Sequence, residues 1–247
     1  MFTHHIVRSF DKELRYLEKN IEKMARYAEN MVERSVRSII HSDPELAQET
    51  IAQDALLDKA ERDISEKAIM LIAKRQPMAV DLREIIGTIR IAFDLERIGD
   101  MAKNIAKRSA SIVQTPQSPD FYRSLESFSV STLNQLKGIL EAYMDRSLDK
   151  ISAVRAHEEK IDAMYTSIFR ELLTYMMEDP KKITSCTHLL FCAKNLERVG
   201  DHITNIAETL YYVMTGNYMP GERPREDMSY HFTLEELQNK NSSEEDL

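Results

Sequence analysis

Tryptophan is missing from this chain of 247 residues, and glycine and proline are scarce, at six and seven. So few turn formers argue against a β-rich or loop-rich fold, which needs a bend at every strand end. Long apolar runs are also missing. None approaches the roughly 20 residues that a helix needs to cross a bilayer, and the opening MFTHHIVRSF has no apolar signal core. These absences lead to the expectation of a cytoplasmic protein. Cysteine is limited to Cys186 and Cys192, six residues apart in one expected helix. That spacing puts them on different faces, so the expectation is two packed thiols rather than a disulfide. Positive charge is in short supply as well. The net charge is −8, and after Thr215 eight acids face three bases. The rest of the chain is near balance, with no basic patch for nucleic acid and no strongly basic amphipathic face for direct membrane binding. There is no Gly-rich phosphate loop, no GxSxG and no Cys–His pairing. The expectation is a non-enzyme.

What the chain does have is helix-forming residues. Leu, Ala, Glu, Arg, Lys and Met fill its body. Pro44, Pro77, Pro116, Pro119, Pro180 and Pro220 mark helix ends, because proline lacks a donor and clashes inside a helix. The pieces between them predict helices near 5–42, 45–76, 79–114, 120–144, 147–178 and 181–215. In the first, Phe10, Leu14, Leu17, Ile21, Met24, Ala28 and Met31 recur in steps of four and three, the seam of helices packed side by side. Met24, Met31, Met176 and Met177 are read as core. Residues 216–247 are polar, acidic and proline-interrupted, so they are expected to be loosely held, with Tyr230, Phe232, Leu234 and Leu237 as an apolar cluster able to dock on the helices.

The chain also repeats itself. DLERIGDMAKNIAK, from Asp94, returns as NLERVGDHITNIAE, from Asn195, 101 residues later. The register extends without a gap from Ala55–Asp100 to Ala156–Asp201. Each half then holds three long helices, and short loops force neighbours antiparallel. The expected fold is all-α: two tandem three-helix bundles, 1–115 and 116–215, followed by an acidic tail over 216–247. Within the motif, Glu96 and Asp100 stand about 40° apart one turn along, on a stripe at the edge of the core face. Glu197 and Asp201 match them, and Arg97 and Arg198 are expected further round, towards solvent. Carboxylates one turn apart repel unless a cation lies between them, and oxygen ligands in a row suit hard or borderline metal ions. Gly99 and Gly200 cost helix stability, which points to close approach of a neighbouring helix or a ligand. Two readings are open: a solvated edge with arginine salt bridges, or a cation site, the repetition favouring the second. Asp58 and Glu61, with Glu159 and Asp162, lie nearby and are read as solvating their helices. Histidines 4, 5, 41, 157, 188 and 231 receive no role.

LERIGD and LERVGD resemble the E/DxxxD motifs of the PhoU family, and AKRQPMAVDLREIIGTIRIAFDLERIGDMAKNIAKR, Ala73 to Arg108, resembles its most characteristic stretch. The resemblance covers roughly residues 5–215 and not the tail. It implies a cytoplasmic regulator of phosphate uptake that links the nucleotide-binding subunit of an ABC phosphate transporter to a sensor histidine kinase and meets the membrane only through the transporter. It also implies a homodimer and metal ions, divalent or of the iron type, on Glu96 and Asp100 in one half and Glu197 and Asp201 in the other. The second half departs from the first: its proline segment is Glu178-Asp179-Pro180, two residues out of register, where the first half has Arg75-Gln76-Pro77; Lys182-Ile183-Thr184 replaces Asp81-Leu82-Arg83, and His202 replaces Met101. An alternative is a di-iron carboxylate protein, a redox enzyme or metal store in a helical bundle. Such sites use Glu-x-x-His pairs, whereas Glu197 and His202 are five apart and the first half has no histidine nearby.

Overall fold

The computed structural model describes residues 8–112 and 119–221. Every element among them is helical. The order is α1 (Arg8–Ile40), α2 (Pro44–Arg75), α3 (Ala79–Ile112), α4 (Pro119–Asp145), α5 (Leu148–Ala156), α6 (Glu158–Glu178), a single 3₁₀ turn (Pro180–Lys182) and α7 (Ile183–Thr215). The proline punctuation holds. Pro44 opens α2, with Asp43 as N-cap accepting from the Leu46 amide at 2.9 Å. Pro180 opens the 3₁₀ turn, and Gly216, in the left-handed region at φ 76°, closes α7.

The fifth expected helix, 147–178, is two. Ser147 caps α5, and the chain stays right-handed through His157 (φ −70°, ψ −18°), the joint between α5 and α6. The His157 amide is shared between the carbonyls of Ala153 and Val154, and its ring meets Ser131 Oγ at 3.0 Å. This is a local tightening rather than a turn, so no proline or glycine announces it.

The seam read in α1 is the core. Phe10, Leu17, Ile21, Met24, Ala28 and Met31 are buried, and Leu14 packs against them half-buried. Each fully buried Leu, Ile or Met contributes about 1.5–3 kcal/mol through removal from water. Met176 lies against this core, but Met177 is 79% exposed, a correction to its reading as core. It is the penultimate residue of α6, on the helix's solvent side. Cys186 and Cys192 are both buried and free.

The first bundle is α1–α3 and the second α4–α7. The largest interface joins the bundles, between α3 and α7. These helices run antiparallel: Gly87 packs on Val213, Asp94 meets His202, and Arg108 meets His188. α1 also packs on α4, and one hydrophobic cluster runs through both halves from Phe10 to Leu210. The docking expected of Tyr230, Phe232, Leu234 and Leu237 lies outside the described residues, as does 113–118, where the boundary between the halves was expected.

Candidate functional site: paired acidic clusters on α3 and α7

The repeated motif falls in the middle of the two helices that join the halves. In α3 the buried face is Leu95, Ile98, Ala102, Ile105 and Ala106. Glu96 and Asp100 lie at its edge, half-buried, facing α2. Asp54 and Asp58 belong to the matching edge of α2, one turn apart. Four carboxylates therefore share one seam, and two basic groups, Lys103 and Arg97, partly offset them. Lys103 Nζ donates to Asp54 Oδ2 and to Asp100 Oδ1, both at 2.6 Å. Arg97 donates from Nη1 to Asp100 Oδ2 at 3.1 Å and places Nε 3.2 Å from Glu96 Oε2. Burial disfavours charge on Lys103, but its bonds to Asp100 and Asp54 overcome that and hold the ammonium protonated well above the ordinary lysine range. Burial pushes the Glu96 carboxyl up; Asp100 adds to this, Arg97 opposes it, and Asp58 and Asp54 add more.

Arg97 stands towards solvent as expected, its side chain 42% exposed, yet it also serves the acids. Its guanidinium lies 4.9 Å from the centre of the Phe93 ring and reaches back over its own helix to both carboxylates. Arg198, its counterpart, is exposed as expected.

In α7 the stripe is the same and its surroundings differ. Glu197 is more deeply set than Glu96, and its Oε1 accepts from Lys194 Nζ at 2.9 Å. Burial pushes its carboxyl up; Lys194 opposes this, while Asp201 and Asp162 reinforce it. Asp201 is half-buried; Asp162 and Glu158, on α6, are buried. The acids read as solvating thus divide. Glu159 is exposed; Glu61 accepts from Ser65 Oγ at 2.7 Å; Asp58 and Asp162 belong to the clusters. Asp54 was missed, although it precedes Asp58 by one turn on the same stripe. Lys194, three residues before Glu197 on the same helix, was missed as well, although helical spacing made the pair legible.

The motif glycines admit neighbouring helices. A Cβ on Gly99 would stand 2.1 Å from Leu57 Cδ2, and one on Gly200 would stand 2.9 Å from Ile161 Cγ2. Of the two readings of these glycines, close helix approach accounts for both. His202 also has a structural partner. Its Nδ1 lies 2.9 Å from Asp94 Oδ1, which Asn205 Nδ2 approaches at 3.4 Å, so it ties α7 to α3 on the side of the helix away from Glu197.

Carboxylate oxygens of this kind suit an oxygen-preferring cation. Glu96 Oε2 and Glu197 Oε2 are buried without a hydrogen bond. As the side chains lie, however, Glu96, Asp100 and Glu197 are drawn onto Arg97, Lys103 and Lys194, and no three of His, Cys, Asp or Glu stand together as metal ligands among the described residues. No helix of the described residues is long and apolar enough to cross a membrane.

The arrangement has close relatives. The PhoU domain model matches twice, over residues 21–109 and 125–210, so each copy contains one acidic cluster. The phosphate-specific transport system accessory protein PhoU homolog of Rhizobium meliloti (strain 1021) is 57% identical over 225 residues, spanning 91% of this chain and 95% of that protein. The homolog of the same name in Caulobacter vibrioides (strain NA1000 / CB15N) is 44% identical over 226 residues, 92% of this chain and 98% of that one. Among solved structures, PhoU from Pseudomonas aeruginosa superposes with a TM-score of 0.81 at 33% identity, covering 84% of this chain and all of that one (100%). The phosphate transport system regulatory protein PhoU from Streptococcus pneumoniae gives 0.79 at 26% identity, covering 86% and 100%. With two matched domains, a shared fold and relatives aligned along nearly their whole length, the chain belongs to the PhoU family.

Proposed function

We propose that this protein is a non-catalytic regulator of phosphate uptake and of the phosphate-starvation response. It acts in the cytoplasm as an adaptor between the nucleotide-binding subunit of an ABC phosphate transporter and a sensor histidine kinase, and it works as a homodimer. The observation that carries the reading is the 57% identity, across 91% of the chain, to a protein named for the phosphate-specific transport system. The side-chain chemistry agrees with it. The motif's acids are drawn onto Arg97, Lys103 and Lys194, and the thiol of Cys192 is buried and pushed up to about 12, far from a nucleophilic thiolate.

The acidic clusters are read as cation sites, with Glu96 and Asp100 beside Asp54 in the first half and Glu197 and Asp201 in the second. A divalent or iron-type ion there would supply positive charge to a surface rich in carboxylate. Lys103 already performs that service in the first half, so a metal ion and this ammonium compete for the same oxygens. Two measurements on purified full-length protein test the proposal. Retention of the transporter's nucleotide-binding subunit and of the kinase, with and without phosphate, is expected; loss of both in every condition overturns the adaptor reading. Replacing Glu96, Asp100, Glu197 and Asp201 by alanine is expected to abolish bound metal in elemental analysis, and an unchanged content removes these residues from any metal site.

A further inference from the structure

The two acidic clusters are related by the repeat, yet each half offsets its acids differently. At the 101-residue offset, Lys103 becomes Thr204 and Asp54 becomes Arg155. In the first half Lys103 Nζ bridges two helices, 2.6 Å from Asp54 Oδ2 and 2.6 Å from Asp100 Oδ1. Arg97 Nη1 takes the other oxygen of Asp100 at 3.1 Å. Both oxygens of Asp100 and one of Asp54 are therefore already held by the chain's own cations. A metal ion reaching them would have to break charge-assisted hydrogen bonds, the stronger class. It would also set a displaced ammonium beside itself, like charge against like charge. The ammonium returns readily, because Lys103 is three residues from Asp100 on the same helix. A short tether of this kind acts as an effective concentration on the order of millimolar.

The second half has a hydroxyl where the first has this ammonium. Thr204 is fully buried, and its Oγ1 makes no hydrogen bond. It follows Glu197 and Asp201 on one stripe, in steps of four and three. Glu197 keeps Oε2 without a hydrogen bond, and so does the buried Gln135 with Oε1, which lies 3.4 Å from where a Cβ on Gly200 would stand. Three buried oxygens of this half thus lack a donor, a want that an oxygen-preferring cation meets. Lys194 is a looser counter-charge than Lys103. Its side chain is 39% exposed against 21%, and it serves Glu197 from one side. Arg155, which stands opposite Asp54 in the repeat, is spent elsewhere, donating to the carbonyls of Pro220 and Gly221 at 2.6 and 2.9 Å.

We propose that Lys103 is the resident counter-ion of the first cluster: its ammonium holds Asp54 and Asp100 and keeps divalent metal out, so that metal binding is confined to the second cluster, where Thr204 stands at the matching position. The duplicated motif has in this way divided into one cluster closed by the chain itself and one open to ions. This inference rests on the reading of the clusters as cation sites and assigns a different cation to each.

Mn²⁺ binding to the full chain, measured by equilibrium dialysis, tests it. Wild type is expected to bind one ion per chain, Glu96→Gln/Asp100→Asn to keep it, and Glu197→Gln/Asp201→Asn to lose it. Lys103→Thr, added to Glu197→Gln/Asp201→Asn, is expected to open the first cluster and raise its affinity for Mn²⁺ by at least about tenfold. Lys103→Arg in the same background keeps the charge and is expected to leave the cluster closed. Should Lys103→Thr fold poorly, the two double variants still decide, because an ion retained by Glu197→Gln/Asp201→Asn has entered past Lys103 and overturns the proposal. A folded Lys103→Thr variant whose first cluster takes no ion overturns it as well. Either result leaves the clusters standing as cation sites if wild type binds Mn²⁺, whereas absence of Mn²⁺ from every protein of the set sinks that reading itself, and the proposal with it.

Discussion

Gly99 and Gly200 show how a residue conspicuous in sequence finds its reason in a neighbour. Glycine inside a helix costs about 1 kcal/mol against alanine, and both occur in the same register of the repeat. Leu57 and Ile161 supply the reason, one from α2 and one from α6, each driven against the bare backbone of the opposing helix. Crowding is not equal at the two sites. At Gly99 a Cβ would fall 2.1 Å from a methyl of the fully buried Leu57, with Met31 Sδ also close, whereas at Gly200 the nearest methyl is 2.9 Å away. Overpacking of a buried contact costs about 1–3 kcal/mol, which the gain in helix propensity partly offsets. Gly99→Ala is therefore expected to lower the urea midpoint clearly, and Gly200→Ala to lower it less. Equal midpoints in the two variants would show that Leu57 moves aside freely. The same scale explains why the charges were only half legible. The acidic stripe follows from helical spacing and was read correctly as the edge of the core. Arg97 and Lys103 with Asp100, and Lys194 with Glu197, are pairs three residues apart that follow from helical spacing, whereas the reach of Lys103 to Asp54 joins two helices and leaves no periodic trace in the sequence.

Elements were legible where chemistry marks their ends. Pro44, Pro119 and Pro180 each begin a helical segment, and Gly216 ends one. The joint at His157 was not, since a tightened turn between right-handed residues needs no special residue type. The turn between α4 and α5 depends on Arg146, a non-glycine residue in the left-handed region at φ 52°. Its side chain explains the tolerance of that conformation. Nη2 pairs with Glu84 of α3 and with Glu18 of α1, and the guanidinium lies 5.3 Å from the centre of the Tyr143 ring. One arginine thereby ties the second bundle to two helices of the first. Burial pushes the Glu84 carboxyl above its ordinary value, with Arg146 pulling the other way. Between the ordinary value, about 4.3, and that raised value, the folded chain binds a proton that the unfolded chain does not. The associated stability is complete below the ordinary value and is lost as pH rises through the raised one. Arg146→Leu removes the opposing charge, drives Glu84 higher and extends this loss. Thermal denaturation from pH 4 to 8 is expected to show Arg146→Leu falling further below wild type as pH increases, with Glu84→Gln in the same background restoring a flat profile. A gap of constant size at every pH would mean that Arg146 acts through packing alone.

At the scale of the molecule, the repeat predicts two bundles, and the packing makes them one body. The apolar stripe of α3 that includes Ile98 and Ile105 is buried in the cluster that also holds Ile203 and Leu210 of α7. Polar contacts pin the same seam: Asp94 with His202 and Asn205, and Arg108 with His188, its guanidinium 4.2 Å from the centre of the Phe191 ring. A sequence repeat reports descent and the internal plan of each half; it says little about how the halves meet, because the contacts between them pair different positions of the two copies. One continuous core implies one cooperative transition. Gly87 lies at this seam, where a Cβ would stand 2.2 Å from Val213 Cγ2 of the other half. Gly87→Val drives a wedge between α3 and α7 without touching either acidic cluster. Hydrogen exchange is expected to show amides of α1 and α2 and amides of α6 losing protection by the same factor in this variant, since opening either half exposes the shared core. If protection falls in one half while the other keeps its wild-type values, the halves unfold separately, and the clusters they carry are energetically independent rather than parts of one coupled scaffold.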